Sequence, residues 1–425
     1  MLWLVGLLFV LIILRIPIAF ALGFVSFLGI MMTDLGLLIN VARKVFTGVD
    51  SFTLVAIPLF ILAGEIMTYG GISKRLIDFS KTLVGHLPGG LAMVVVLASM
   101  FFSALTGTAI AAAAAIGGML IPAMNKEGYD IRFSSSLVAT SATIGPIIPP
   151  SIVLILYGVI AGESIGELFL AGVVPGVLMG AGLMIYSFVI GKKEGYYSRS
   201  ERASLLEVLK GAKDAILAII MPLIIIGGIV LGIFTPTESG VIAVVYAIII
   251  GMFVYRELSL KDLYPIFLST AKTTATIIFL IGSASLFIWF LSYNRIPTEI
   301  VNMLGGVAEN PILLLLIINV ILLLAGTFID TISAVSIFTP LFLPLVTNAG
   351  IDPVHFGIIL AVNLTIGMVT PPLGVCLFVT SSIAKIKVPQ MFKYLIPQVA
   401  ILILVLLAIT YIPGLALLPL NFFEM

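Results

Sequence analysis

Four long apolar stretches in this chain are each broken near the middle by Gly, Pro, Ser or Thr, and the breaks fall into two matched pairs. Residues 91–124 are interrupted at Ser103-Ala104-Leu105-Thr106-Gly107-Thr108, and 134–163 at Ile144-Gly145-Pro146-Ile147-Ile148-Pro149-Pro150-Ser151. Residues 312–346 are interrupted at Gly326-Thr327-Phe328-Ile329-Asp330-Thr331, and 355–384 at Gly367-Met368-Val369-Thr370-Pro371-Pro372. A fixed shift of 222 positions carries Pro122 to Pro344, Gly128 to Gly350, Asp130 to Asp352, Gly145 to Gly367, Pro149-Pro150 to Pro371-Pro372 and Pro175 to Pro397. Shared hydrophobicity biases Leu and Ile rather than Pro, so ungapped prolines in register indicate an internal duplication.

Lipid has to be the solvent for most of this chain. Of its 425 residues 61% are hydrophobic and 10% charged, with mean hydropathy +1.28, whereas a soluble domain carries roughly 25% charged residues. In hydrocarbon every backbone polar group must be satisfied, so a broken helix survives only against protein or a water-filled cavity. Broken helices at matching positions of two repeats point to the binding site of a secondary transporter. No basic run suggests nucleic acid, the lone Cys376 cannot form an internal disulfide, and His86 and His355 make no zinc spacing. The first 32 residues carry no small-residue cleavage motif and are expected to stay in the membrane.

A spanning helix needs about 20 apolar residues. Uninterrupted candidates are 51–69, 167–191, 214–233, 266–292 and 396–420. The runs 1–32 and 214–254 are too long for one span; breaks at Arg15-Ile16-Pro17 and Thr235-Pro236-Thr237-Glu238 divide each into two spans joined by a tight turn. If 91–124 and 312–346 are re-entrant hairpins, the loops at 71–90, 125–133, 192–213, 254–265 and 385–395 share a side. With Arg15 and Lys272 at helix ends, that side holds 18 of the 21 Lys and Arg residues. The positive-inside rule makes it cytoplasmic, and both termini are then periplasmic. An odd number of crossings separates 51–69 from 266–292, so the repeats are inverted: 1–191 and 214–425, joined by a cytoplasmic linker at 192–213. Residues 72–86 have amphipathic helical spacing and predict an interfacial arm.

If the four breaks converge, helix N-termini present a positive dipole end to an anion, while freed carbonyls and hydroxyls suit a hard cation such as Na⁺. Ser103, Thr106 and Thr108 lie at the first tip and Thr327, Thr331 and Ser333 near the second; Ser141, Thr143, Asn363, Thr365 and Thr370 flank the other two breaks. Of these, Thr106, Thr108, Ser141, Thr331 and Asn363, with Asp330, are expected to hold substrate. A central Asp costs roughly 2.5–3.5 kcal/mol on insertion scales, so Asp330 is expected to cap the tip, coordinate a cation or carry a proton. Glu65 and Glu238 read as structural or interfacial. No Lys or Arg lies at the breaks.

The runs Ile57-Pro58-Leu59-Phe60-Ile61-Leu62-Ala63-Gly64, Phe102-Ser103-Ala104-Leu105-Thr106-Gly107, Gly145-Pro146-Ile147-Ile148-Pro149-Pro150-Ser151 and Thr370-Pro371-Pro372-Leu373-Gly374 resemble the large membrane subunit of tripartite ATP-independent periplasmic (TRAP) transporters. The resemblance covers essentially the whole chain. It implies an all-α polytopic elevator of the bacterial inner membrane that imports a small carboxylate, such as a C4-dicarboxylate or a sialic or sugar acid, with Na⁺ as coupling ion. It further implies a small four-helix membrane subunit, expected as a separate chain, and a periplasmic substrate-binding protein docking at loops such as 33–50 and 293–311. By position, the sodium sites would pair Ser103 and Thr106 with Gly367 and Thr370, and Thr327 and Asp330 with Gly145 and Pro149. A stand-alone sodium- or proton-coupled dicarboxylate symporter is the competing reading. An intramembrane protease is disfavoured, since His86 and His355 lie outside the breaks and no paired intramembrane Asp is present.

Overall fold

Helix is the only regular structure in the computed structural model, which describes residues 2–196, 202–299 and 310–422, and no strand occurs among them. Eight of the helices are long and apolar enough to cross a membrane. The chain begins with α1 (Leu2–Ile13) and α2 (Ile18–Thr33), separated by a turn in which Arg15 takes a left-handed φ of 64° and Pro17 fixes the start of α2. Two helices therefore occupy 1–32 as the sequence predicts, but α1, at 12 residues, is only about 18 Å long and cannot cross a hydrocarbon core about 30 Å thick.

The expected loop at 33–50 is instead a short 3₁₀ turn followed by α3 (Ile39–Val49). Val41, Val45 and Val49 recur at one-turn spacing and are half-buried, and Val45 and Val49 sit over Gly282. Arg43 and Lys44 interrupt the apolar run, which hides this helix from a hydropathy window, yet Lys44 finds the Trp289 ring at 5.9 Å. Next come α4 (Ala56–Tyr69) and α5 (Ile72–Val84), the arm predicted at 72–86. Ile72, Leu76, Ile77 and Ser80 of α5 are buried, and its partners are α6 (Gly90–Thr106) and α11 (Leu205–Val230). Its apolar face is spent on protein.

The first interrupted pair is α6 with α7 (Ala109–Lys126), then α8 (Ile131–Ala142) with α9 (Ile152–Ala161); α10 (Ile165–Lys193) follows. The linker expected at 192–213 is shorter than predicted: α10 runs through Lys193, and α11 already starts at Leu205, where Ser204 and Glu207 form a capping box. Polar first turns outside the hydrocarbon do not register as apolar, so helix starts were placed too late. A second capping box, Thr235 with Glu238 behind Pro236, ends the 214–254 run by starting α12 (Pro236–Ile249). Then α13 (Leu260–Tyr293) extends the 266–292 span at its N-terminus, which leaves Lys272 well inside the helix and exposed rather than at a helix end.

The second interrupted pair is α14 (Pro311–Gly326) with α15 (Thr331–Asn348), then α16 (Pro353–Gly367) with α17 (Val375–Ala384). The span expected at 396–420 is α18 (Phe392–Tyr411), stopped at Ile412-Pro413 because proline cannot continue it. The docking loop expected at 293–311 lies mostly outside the described residues. Helices of the two halves interleave: α17 packs on α7, α15 on α9, and α18 on α8 and α10. On the other flank α2 and α3 pack on α13, and α4 on α12 and α13.

Candidate functional site

Each tip rests on the break of its own half. At the first, Gly107 has φ +61°, and a Cβ there would lie 2.8 Å from the Pro150 carbonyl oxygen. A Cβ on Gly145 would lie 3.2 Å from Ser103 Oγ and 3.2 Å from the Thr108 carbonyl oxygen. At the second, a Cβ on Gly367 would come within 2.5 Å of the Gly326 backbone, so the two helices meet backbone to backbone. The crossed pairing of Ser103 and Thr106 with Gly367 and Thr370, and of Thr327 and Asp330 with Gly145 and Pro149, is thus replaced by pairing within each half. Glycines on both sides of each contact let tip and break approach without side chains between them, and the crossed arrangement would separate those partners.

Between the two tips lies a cavity of about 720 Å³. Thr106, Thr108, Asp330 and Thr331 line it, and Pro146 and Met368 reach it from the two breaks. Thr106 closes α6 and Thr108 stands at the N-cap of α7 with no side-chain cap bond, leaving its hydroxyl free for a guest. Asp330 caps α15 by accepting from the Ser333 N–H at 3.1 Å, while its exposed side chain borders the cavity. Thr331 donates to Met368 Sδ at 3.0 Å, tying tip to break.

Other predicted residues stand back from the cavity. Ser103 and Ser141 are fully buried and their hydroxyls have no partner. Such orphaned oxygens are costly, and beside the Thr108 carbonyl and Gly145 the Ser103 hydroxyl fits a hard cation. Gly145, Pro149, Thr327, Gly367 and Thr370 are absent from the cavity lining; Gly145 and Gly367 sit at the tip–break contacts, where the Gly374 N–H also reaches the Thr327 carbonyl at 3.5 Å. Thr327 and Thr370 turn their hydroxyls back to the carbonyls of Leu324 at 2.7 Å and Ile366 at 2.8 Å, and Thr143 and Thr365 likewise bond Thr140 and Val362. Asn363, expected to hold substrate, does not line the cavity. It donates to Asn319 Oδ1 at 2.6 Å, and Asn319 donates to Thr410, so this amide is spent joining α16 to α14 and α18.

A cavity carboxylate is missed by sequence reasoning, which sets Glu65 aside as structural or interfacial. It projects from α4 into the same cavity, with Thr68 and Tyr69 beside it and Thr273 of α13 completing that wall. Its Oε1 accepts from Ser269 Oγ at 2.8 Å. The available signal is a carboxylate inside the apolar run 51–69, which deserves the functional default that Asp330 receives. Glu238, by contrast, serves its helix cap.

Comparison with known proteins adds the following. A family model described as tripartite ATP-independent periplasmic transporter, DctM component, matches residues 5–415. The C4-dicarboxylate TRAP transporter large permease protein DctM of Pseudomonas aeruginosa is 39% identical over 89% of this chain and 88% of its own length. The sialic acid TRAP transporter large permease protein SiaM of Vibrio cholerae is 38% identical over 95% of this chain and 94% of its own. Among solved structures, the Alcanivorax borkumensis YdaH transporter superposes with TM-score 0.65 over 90% of each chain at 16% identity, a likeness of fold alone.

Proposed function

Since the chain belongs to the DctM component family of TRAP transporters, a multi-pass inner membrane permease and not an enzyme, we propose that it imports a small organic carboxylate together with Na⁺. The observation that carries this reading is one cavity bounded by both hairpin tips and both breaks, walled by threonine hydroxyls and carboxylates with no Lys, Arg or His among the described residues that line it. A carboxylate entering it meets hydroxyl donors and the N-terminal end of α7, whose Thr108 cap leaves backbone N–H groups uncapped by that side chain. Its negative charge must be met by cations that enter with it. The orphaned Ser103 and Ser141 hydroxyls and the tip–break carbonyls supply oxygen ligands for a hard cation of that kind.

In this reading 1–191 and 214–425 are inverted repeats, the two tip–break units form the moving part of an elevator, and α2, α3, α4, α12 and α13 form the part that stays fixed. The charged side is cytoplasmic and both termini are periplasmic. Substrate reaches the cavity from a periplasmic binding protein, and a small four-helix subunit supports the fixed part. The named relatives carry C4-dicarboxylates in one case and sialic acid in another, and the substrate here is a carboxylate of that range.

The test is uptake into proteoliposomes holding this chain with its small subunit, with the binding protein loaded with labelled carboxylate outside. Uptake in Na⁺ buffer and none in choline buffer is expected. Equal rates in the two would defeat sodium coupling, and no uptake of any carboxylate that the binding protein holds would defeat the transport reading. A thermal-shift screen of the binding protein against organic acids selects the substrate to label.

A further inference from the structure

Among the described residues lining the cavity only two are carboxylates, and they sit on different elements: Asp330 on the second hairpin tip, Glu65 on α4. Helix α4 carries none of the four breaks, so Glu65 is not needed to build a tip or its ion ligands. It is nonetheless held in place. Ser269, 204 positions away on α13, donates to Oε1 at 2.8 Å, and the adjacent Gly64 presses α4 against the first tip, where a Cβ would lie 2.9 Å from the Leu105 carbonyl oxygen. Thr273, one turn beyond Ser269, continues the same wall.

We propose that Glu65 is a positioning residue for coupling: its fixed negative charge on the α4 side of the cavity keeps the anionic substrate out unless cations are bound with it. The inference rests on the sodium-coupled import argued above. In an apolar cavity like charges repel over several ångströms with little screening, and no basic side chain in the lining offsets Glu65. Cations seated at the tips reverse the local balance, so substrate gains entry only in their company. Unfavourable charge placed against the wrong species is a general route to selectivity. Here the species rejected is substrate without its cations.

Glu65→Gln isolates the charge, because the Gln amide oxygen still accepts from Ser269. In the reconstituted complex, this variant is expected to lower the Na⁺ concentration for half-maximal uptake by about tenfold and to take up carboxylate in choline buffer, where the parent does not. Thr273→Asp adds a second charge to the same wall and is expected to raise the Na⁺ requirement. Ser269→Ala removes the hydrogen bond but leaves the charge, and should keep the parent's absolute need for Na⁺. An inserted Glu65→Gln protein with the parent's Na⁺ titration, or one that loses uptake in both buffers, overturns the proposal; so does choline-buffer uptake by Ser269→Ala. Should Glu65→Gln fail to insert, Thr273→Asp decides, and an unchanged Na⁺ requirement there overturns it too. Parent protein that needs no Na⁺ at all would instead defeat the sodium-coupled reading on which this one stands.

Discussion

At Asp330 a helix cap and a cavity wall coincide, and two substitutions can separate them. Asn caps about as well as Asp, while Ala loses about 1 kcal/mol. Asp330→Asn is therefore expected to insert and melt like the parent and yet lose uptake, and Asp330→Ala to lose uptake and some thermal stability as well. Normal uptake by either variant would remove the carboxylate from the transport site. Outside the membrane, the Arg132 guanidinium hydrogen-bonds Asp130 and, with help from the Arg132 N–H and against some burial, holds its carboxyl below the usual range. A depressed carboxylate stabilises the fold above its unfolded value, about 3.9, and that contribution fades as pH falls through the lower folded value. Melting curves should thus show Asp130→Asn less stable than the parent near neutrality, with the gap closing below about pH 4. A gap constant down to pH 3 would contradict this. Single residues were legible in the sequence where a cost made them conspicuous, as with Asp330. Glu65 was not, because its purpose depends on Ser269 and on a cavity built by remote segments, and Asn363 misled because its flanking position says nothing of Asn319 opposite.

At the scale of elements, the tip–break contacts are seams of backbone against backbone. Gly367→Ala would force a methyl to within 2.5 Å of the Gly326 backbone, and overpacking of this kind typically costs 1–3 kcal/mol. The expected result is a lower melting temperature with uptake impaired. Gly118→Ala, on α7 with nothing within 4 Å of the added methyl, should be neutral or slightly stabilising, since alanine favours a helix over glycine by about 1 kcal/mol. Equal effects of the two would mean that the seam tolerates a side chain. The breaks were readable beforehand because Gly145-Pro146, Pro149-Pro150 and Pro371-Pro372 within apolar runs cannot continue a helix, and the tips because clustered Ser, Thr, Gly and Asp interrupt such runs. What could not be read was which tip meets which break. That follows from glycine facing glycine across space, as Gly326 faces Gly367, and one-dimensional spacing fits either pairing. Helix α3 was lost to the same limit: its valines matter only once Gly282 lies under them.

The whole molecule sets the response to voltage. If more cation charge than substrate charge enters per cycle, an inside-negative potential should accelerate uptake, each net charge moved through 100 mV being worth about 2.3 kcal/mol. Valinomycin-imposed potassium potentials would measure this, and rates unmoved by potential would mean electroneutral exchange. The matched spacing of the prolines was legible at this scale, whereas the packing of late helices on early ones was not. That packing has a consequence for how the protein is made. Because α15 completes the surroundings of α9, and α17 and α18 those of α7 and α8, the earlier helices leave the translocon with faces that only much later segments can cover. Biogenesis must hold the early half unfinished in the bilayer until α15, α17 and α18 have been made, so two fragments split between α10 and α11 would each be fragile alone and regain the native assembly only when made together.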